Sequence, residues 1–590
     1  ARLLQSYRHA FGVSYREAFG AQMALVDIER LEAMDREDGF ALNLYRQIED
    51  DDTTLRLKLY RSGSALALSD VLPMLEHMGL RVLSEQSFAI GDPTSPFCWI
   101  HDFHMAIVGD SCQDLAPVKP HFENALLSVW RGDMEDDGFN HLILKIGLTP
   151  RQVVMLRAYC KFLRQAGIAF SQDYMEQTLA SNGDISALLV ELFESLFDPE
   201  SADPTEIMAD TIAASVNLLL NEVESLDEDR ILRRFLNAIQ STLRTNYYQQ
   251  GDDENGPKPW LSLKFDSQKL EELPLPRPLR EIFVYSPRVE GVHLRGGMVA
   301  RGGLRWSDRR EDFRTEVLGL VKAQMVKNAV IVPVGSKGGF VPKRMPADAD
   351  RETQMAEGIA CYRMFISGLL DVTDNIVDGA VVRPFDVICR DPEDPYLVVA
   401  ADKGTATFSD YANGVAIDYG FWLGDAFASG GAAGYDHKGM GITAKGGWES
   451  VKRHFREMGQ DIQSEPFTAA GVGDMSGDVF GNGMLLSPQT RLIAAFDHRD
   501  IFIDPHPDAA RSLAERQRLF ALPRSSWQDY DSALISTGGG VFSRSLKSIP
   551  LSPEIKAALG MTVDHATPAE VMTAILKADV DLLWFGGIGT

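Results

Sequence analysis

Residues 301–339 read RGGLRWSDRREDFRTEVLGLVKAQMVKNAVIVPVGSKGG, and the order of parts in this stretch governs how the rest of the chain is read. Gly302-Gly303 opens it, and residues 311–327 carry Phe313, Val317, Leu320, Val321 and Met325 at helical spacing. AVIVPV follows as a short buried strand, leading into the glycine-rich turn Gly335-Ser336-Lys337-Gly338-Gly339. From Ala300 to Met345 stand ten cations (Arg301, Arg305, Arg309, Arg310, Arg314, Lys322, Lys327, Lys337, Lys343, Arg344) against four acids, Asp308, Glu311, Asp312 and Glu316. A local positive excess in a chain of net charge −26 attracts small anions and is too small to imply a polyanion. Glycines let backbone press close around Lys337. Desolvation and neighbouring cations would lower its pKa, so that it could act as acid or base or activate a water. The plainer reading, a solvated basic helix and a tight turn, suits Arg309, Arg310 and Lys322.

Downstream, PYLVVAADKGTATFSD carries a buried-strand run that ends on Asp402. Ligands gather at the C-terminal ends of strands in open α/β sheets; the competing role for Asp402 is a helix N-cap, shared with Thr405 or Ser409. GITAKGG (441–447) reads as a turn. In PFTAAGVGDMSGDVFGNGMLLS (466–487), Gly471 and Gly473 follow a short strand and lead toward a helix, whose N-terminus with the loop amides would bind a pyrophosphate. Ser476 stands at the third glycine position of that pattern, with Gly477 next. The strand RLIAAFD then ends on Asp497, placed for ribose hydroxyls. Arg499 would share its face in an alternating strand and could instead pair with the aspartate or meet a 2′-phosphate.

The segment 301–339 resembles the substrate and catalytic segment of glutamate dehydrogenases, which runs KGGxR, helix, MxxKxA, strand, P-x-GG-x-KGG; the match is closest to the large multidomain bacterial NAD-dependent branch. The resemblance covers about 260–590. It implies NAD-dependent oxidative deamination of L-glutamate to 2-oxoglutarate and ammonia, with Lys337 and Asp402 as catalytic groups. Substrate would be held by Arg301, which falls where the family has lysine, by Gly302 and by Lys327. The cofactor would be bound by Thr443, Gly471, Gly473, Asp474, Met475 and Asp497, although Ala444 replaces a family glycine beside Thr443. It further implies an ACT-like module before the catalytic core, a homo-oligomer and a cytoplasmic enzyme. A dehydrogenase of another amino acid, or an inactive regulatory or scaffolding subunit, are the alternatives; Arg301 opposes the first, and Lys337 with Asp402 the second.

Upstream, residues 1–40 read as helical, and 41–115 as strand, helix, strand, strand, a small α+β module that either takes an effector or orders the oligomer. Residues 116–255 read as a helical region, closed by the polar linker 249–260. A substrate domain over 256–460 and a C-terminally truncated Rossmann-type domain over 461–590 complete a multidomain α/β and α+β chain. The 590 residues lack an eighteen-residue apolar run and a signal-peptide core. Opening on Ala1 and stopping after a buried strand, the chain reads as cut from a longer polypeptide. Five cysteines without CxxC spacing suit a reducing compartment, and His101 and His104 should point to opposite faces of a strand, so no metal is expected. The acidic balance argues against nucleic acid.

Overall fold

The structure, a computed structural model, describes residues 2–34, 39–92, 95–109, 114–200, 206–251, 256–327, 334–345, 349–405, 407–432, 434, 436–523 and 525–587. It divides after Ser429 into two compact units.

In the first unit, β1 (Phe40–Tyr45), β2 (Thr54–Ser62), β3 (Leu80–Asp92) and β4 (Ser95–Ile107) form an antiparallel sheet in the order β1-β2-β4-β3, with helix Leu68–His77 between β2 and β3. β1, unread in the sequence, makes this β-β-α-β-β. The N-terminal helices are fastened to the sheet by a buried cluster: Asp27 accepts from Lys58 Nζ at 2.6 Å and from Tyr60 OH at 2.7 Å. Helices then run from Lys119 to Gln240. Pro150–Gln165 starts at a capping box of Thr149 and Gln152, which satisfies two donors that the first turn would otherwise leave open.

The second sheet of this unit has eight strands: β5 (Thr242–Thr245), β6 (Leu261–Asp266), β7 (Arg280–Tyr285), β8 (Val289–Arg295), β9 (Ala300–Trp306), β10 (Val334–Pro342), β13 (Val399–Ala401) and β14 (Ala428–Ser429). The hairpin β11 (Asn375–Val377) and β12 (Ala380–Val382) stands apart. The order is β14-β13-β9-β10-β8-β7-β6-β5. β5 to β8 and β10 run antiparallel in succession, whereas β10, β9, β13 and β14 are mutually parallel. β7 alternates strictly: Phe283 and Tyr285 pack toward the helical layer, Ile282 and Val284 toward helix Arg351–Leu370.

Two expectations move here. The linker 249–260 is no boundary, because β5 precedes it and pairs with β6 across it. Gly335 to Gly339 form no turn but the middle of β10, with strands hydrogen-bonded on both sides. AVIVPV lies outside the described residues except Val334.

In the second unit, β15 (Phe467–Val472), β16 (Thr490–Phe496), β17 (Asp500–Ile503), β18 (Gly540–Ser543) and β21 (Leu582–Phe585) form a sheet ordered β18-β17-β16-β15-β21. A small antiparallel pair, β19 (Ile549–Pro550) and β20 (His565–Ala566), stands apart from it. β16, β15 and β21 are parallel, while β17 runs against both β16 and β18. The unit begins 31 residues before the boundary expected at 461, because helix Ile442–Glu457 contributes Ala444, Trp448 and Phe455 to its core.

Candidate active site

Three adjacent parallel strands assemble the first cluster. The register that pairs Gly335 with Arg301 and Gly339 with Arg305 puts Arg301, Gly303, Arg305, Gly335, Lys337 and Gly339 on one face. Ala401 pairs with Leu304, so Asp402, just past the end of β13, stands beside Arg305. β9 separates β10 from β13, and Lys337 Nζ crosses it to reach Asp402 Oδ2 at 3.0 Å. The two side chains are 19% and 18% exposed.

The glycines explain how two groups from non-adjacent strands can touch. A Cβ on Gly303 would lie 3.0 Å from Asp402 Cβ and 2.7 Å from the Ala401 carbonyl oxygen, so any side chain there would crowd the carboxylate. At Gly302 a Cβ would fall 1.4 Å from the Ser336 carbonyl oxygen; this residue lets β9 and β10 close together and offers a ligand only its backbone.

Asp402 is held at both oxygens. Oδ1 accepts from the Lys403 amide at 2.8 Å and from Arg305 Nη2 at 3.4 Å. Arg305 in turn donates to Glu316 Oε1 at 2.8 Å, and Ser307 Oγ donates to Glu316 Oε2 at 2.6 Å. Thr405 Oγ1 donates to the Leu304 carbonyl at 2.7 Å and accepts from the Asp402 amide at 3.0 Å. Asp402 is therefore not a helix cap: the next helix, Ser409–Asp418, starts from Phe408 without a side-chain cap. Burial pushes the Asp402 carboxyl up, but the Lys337 ammonium and the Arg305 guanidinium outweigh burial and hold it below its ordinary value. An ionised carboxylate touching a lysine can pass protons to and from a ligand.

Lys337 faces a carboxylate rather than the expected ring of cations. Arg314 is buried against Glu281 at 2.8 Å, and Lys343 against Glu135 at 2.5 Å and Glu290 at 2.8 Å, so neither adds to an anion-attracting surface. Arg301 is exposed on the face of Lys337. Lys327 ends helix Phe313–Lys327, and its side chain lies outside the described residues. Arg305, Ser307 and Glu316 were missed as a unit; the spacing of Arg301 and Arg305, which puts them on one strand face, was the available signal.

In the second unit, Gly471 lies inside β15, where a Cβ would meet the Trp584 carbonyl oxygen at 2.4 Å; its smallness serves strand packing. Gly473 has φ +146°, a turn conformation in which a Cβ would be 2.6 Å from Phe480. The loop is closed on itself: Asp474 Oδ1 accepts from the amides of Ser476 at 2.8 Å and Gly477 at 3.1 Å. The expected helix follows, but it is only six residues, Asp478–Gly483. Met475 is buried in the core, leaving its main chain alone to meet a ligand.

Asp497 lies in the turn joining β16 to β17, which removes the alternating-strand argument about Arg499. Its Oδ1 accepts from the amides of Arg499 at 2.8 Å and Asp500 at 2.7 Å. Its Oδ2 is sealed without a hydrogen-bond partner among the described residues, with Arg499 Nη2 at 3.7 Å. Burial, with Asp474 beside it, raises the Asp497 pKa. Carboxylates of Asp474 and Asp497 and the His498 ring come within 4.8 Å of one another, but Arg499 is already within 4.0 Å of both acids. Thr443 is exposed in the first turn of helix Ile442–Glu457 and not in an irregular turn.

Residues 215–590 match the family model for the bacterial NAD-glutamate dehydrogenase catalytic domain. The chain belongs to this family. Its earlier parts match glutamate dehydrogenase models for helical motif 2 (1–34), the ACT3 domain (39–118) and helical motif 3 (134–199). NAD-specific glutamate dehydrogenases of Halomonas elongata and Pseudomonas aeruginosa are each 54% identical over all of this chain and 36% of their own length. That of Mycobacterium tuberculosis is 54% identical over 99% of this chain and 37% of its own. The chain thus spans little more than a third of these relatives. Among solved structures, one glutamate dehydrogenase is similar over 68% of this chain and 82% of its own, at 14% identity and a TM-score of 0.32. The family fold joins ACT3 and helical-motif domains to a mixed α/β catalytic domain. No helix among the described residues is long and apolar enough to cross a membrane.

Proposed function

We propose that the protein containing this chain deaminates L-glutamate oxidatively to 2-oxoglutarate and ammonia with NAD, as a cytoplasmic homo-oligomer. The observation that carries the reading is the Lys337–Asp402 contact across Gly303, beside the C-terminal end of β13. Family membership and the NAD-specific names of relatives support the chemistry and cofactor. In domain terms the chain reads as helices over 1–40, an ACT-like module over 41–115, a helical region to 241, a substrate domain over 242–429 and a Rossmann-type domain from 430 onward. β17, which runs against both β16 and β18, departs from an all-parallel nucleotide sheet.

The cofactor reading is supported at one end by the buried Oδ2 of Asp497, which has no hydrogen-bond donor among the described residues and would accept one from a ribose hydroxyl. Gly473, with the main chain of Asp474 and Met475, would approach the pyrophosphate, and Thr443 the carboxamide. When bound, NAD supplies an acceptor for the substrate Cα hydride. Lys337 then steadies the water that adds to the resulting imine carbon, and Asp402 takes a proton from that water and delivers it to the departing amine. Glutamate, NAD and water become 2-oxoglutarate, ammonium, NADH and one proton. Arg301 would hold the side-chain carboxylate, with Lys327 and the Gly302 backbone at the α-carboxylate.

The test is NADH formation by the full-length protein across a panel of amino acids, with NADP in parallel. Glutamate with NAD should dominate, and Lys337→Ala should lower kcat at least ~10³-fold. Retention of more than about a tenth of kcat would remove Lys337 from the chemistry.

A further inference from the structure

A cavity of about 470 Å³ in the first unit shares no lining residue with the Lys337 and Asp402 cluster. Its size falls in the range of small-molecule sites, roughly 300–1,000 Å³. Its walls are largely apolar, with Val154, Pro259, Trp260, Tyr285, Pro287 and Met364. Three cations line it, and two of them are already neutralised: Lys258 bonds Asp371 at 2.5 Å and Arg288 bonds Glu357 at 2.5 Å.

Arg151 is different. Its guanidinium donates only to the carbonyls of Lys258 at 3.3 Å and Tyr247 at 3.2 Å, its Nε is sealed without a partner, and no carboxylate pairs with it among the described residues. Burial draws its pKa down to about 10, the mark of a cation lacking a counter-charge. Arg516 shows that a buried arginine without a carboxylate can be structural, since its Nε and Nη2 donate to carbonyls and its Nη1 to the Ser512 hydroxyl. Arg151 lines the cavity, and each of its terminal nitrogens carries a second N–H beyond the one its carbonyl accepts. An anion there would offset the cost of the buried charge. Asp133 also lines the cavity and is exposed, which disfavours a dianion.

We infer that this cavity binds a small monocarboxylate with an apolar body, its carboxylate paired with Arg151. The test is calorimetric titration of the intact protein with phenylacetate, phenylacetamide and phenyl phosphate. Phenylacetate should bind with a Kd of about 1 mM or tighter, and the neutral amide at least about tenfold more weakly. Arg151→Gln should bring phenylacetate to the level of the amide and leave the amide unchanged. Val154→Trp, which fills the cavity and keeps the cation, should block both, and it decides the matter if Arg151→Gln fails to fold. Lys337→Ala should bind phenylacetate as wild type does, separating this cavity from the catalytic cluster. The inference is overturned by phenylacetate binding that survives Val154→Trp, by loss of binding in Lys337→Ala, by phenyl phosphate binding more tightly than phenylacetate, or by no saturable binding at about ten times the expected Kd.

Discussion

Gly303→Ala isolates the geometric requirement of the Lys337–Asp402 pair, because it adds one methyl group and removes nothing. The new Cβ would sit 2.7 Å from the Ala401 carbonyl oxygen and 3.0 Å from Asp402 Cβ. The first of these is backbone in the paired strand and cannot rotate away. Restoring an ordinary 3.4 Å contact displaces β13 by about 0.7 Å and carries Asp402 with it. Overpacking of this kind costs about 1–3 kcal/mol of stability. A misplacement near 1 Å in a catalytic group costs about 10²-fold in rate, so kcat should fall roughly 10- to 100-fold with KM for glutamate changed much less. The assay is steady-state NADH formation by the full-length protein, with Gly319→Ala as control: a Cβ there meets nothing within 4 Å, and the helix should gain about 0.5–1 kcal/mol. A Gly303→Ala enzyme with kcat within about twofold of wild type would refute the view that Gly303 clears the path between the two groups.

Arg305→Met leaves Lys337 as the one side-chain cation bonded to Asp402 among the described residues, so the carboxyl titrates higher and the acid limb of kcat/KM moves to higher pH; an unmoved limb would mean that Arg305 does not act on Asp402. Asp394→Asn breaks a buried network in which Asp394 binds Arg295 and Lys264, the latter at 2.9 Å, and should cost about 3–5 kcal/mol in denaturant unfolding of the first unit. Burial raises the Asp394 carboxyl, but Arg295 and Lys264 outweigh it and depress the pKa, so its contribution is complete above the ordinary carboxylate range and is lost as pH falls below it; the mutant's deficit should shrink in acid, and a constant deficit would contradict this. Asp497→Ser should lose much of the preference for NAD over NADP, read as the ratio of kcat/KM values; a wild type that prefers NADP would move the assignment to Arg499.

The parts of the fold that could be read locally are those whose signal is periodic. Phe313, Val317 and Val321 recur at helical spacing and share one core, and Asp402 follows an apolar run, so each announces itself within ten or twenty residues. What stayed hidden depends on partners far along the chain. Arg314 reads as one more surface cation until Glu281, 33 residues away, is seen beside it. Glycine disfavours strands, so Gly335 to Gly339 read as a turn, yet pairing with β8 and β9 on both sides overrides that preference. The polar segment 249–260 looks like a linker because nothing local says that β5 belongs to the sheet beyond it. Asp497 sits at the end of an apolar run, but whether a strand continues or turns depends on the antiparallel return of β17.

The glycines around Lys337 also take a different meaning from the one that composition suggests. Gly303 lies across the ladder from Lys337, and Gly335 and Gly339 lie two residues before and after it on the same face. Two of these glycines make room for helix Phe313–Lys327, since a Cβ on Gly335 would fall 2.4 Å from Gln324 Oε1 and one on Gly339 2.8 Å from Val317 Cγ2, whereas Gly303 faces Ala401 and Asp402. Lys337 lies across β9, over bare Gly303, to meet Asp402. Of the two arginines on this face of β9, Arg305 is already committed to Asp402 and Glu316. That leaves Arg301, exposed and on the same face, as the β9 cation to which the proposed reading gives the side-chain carboxylate of glutamate.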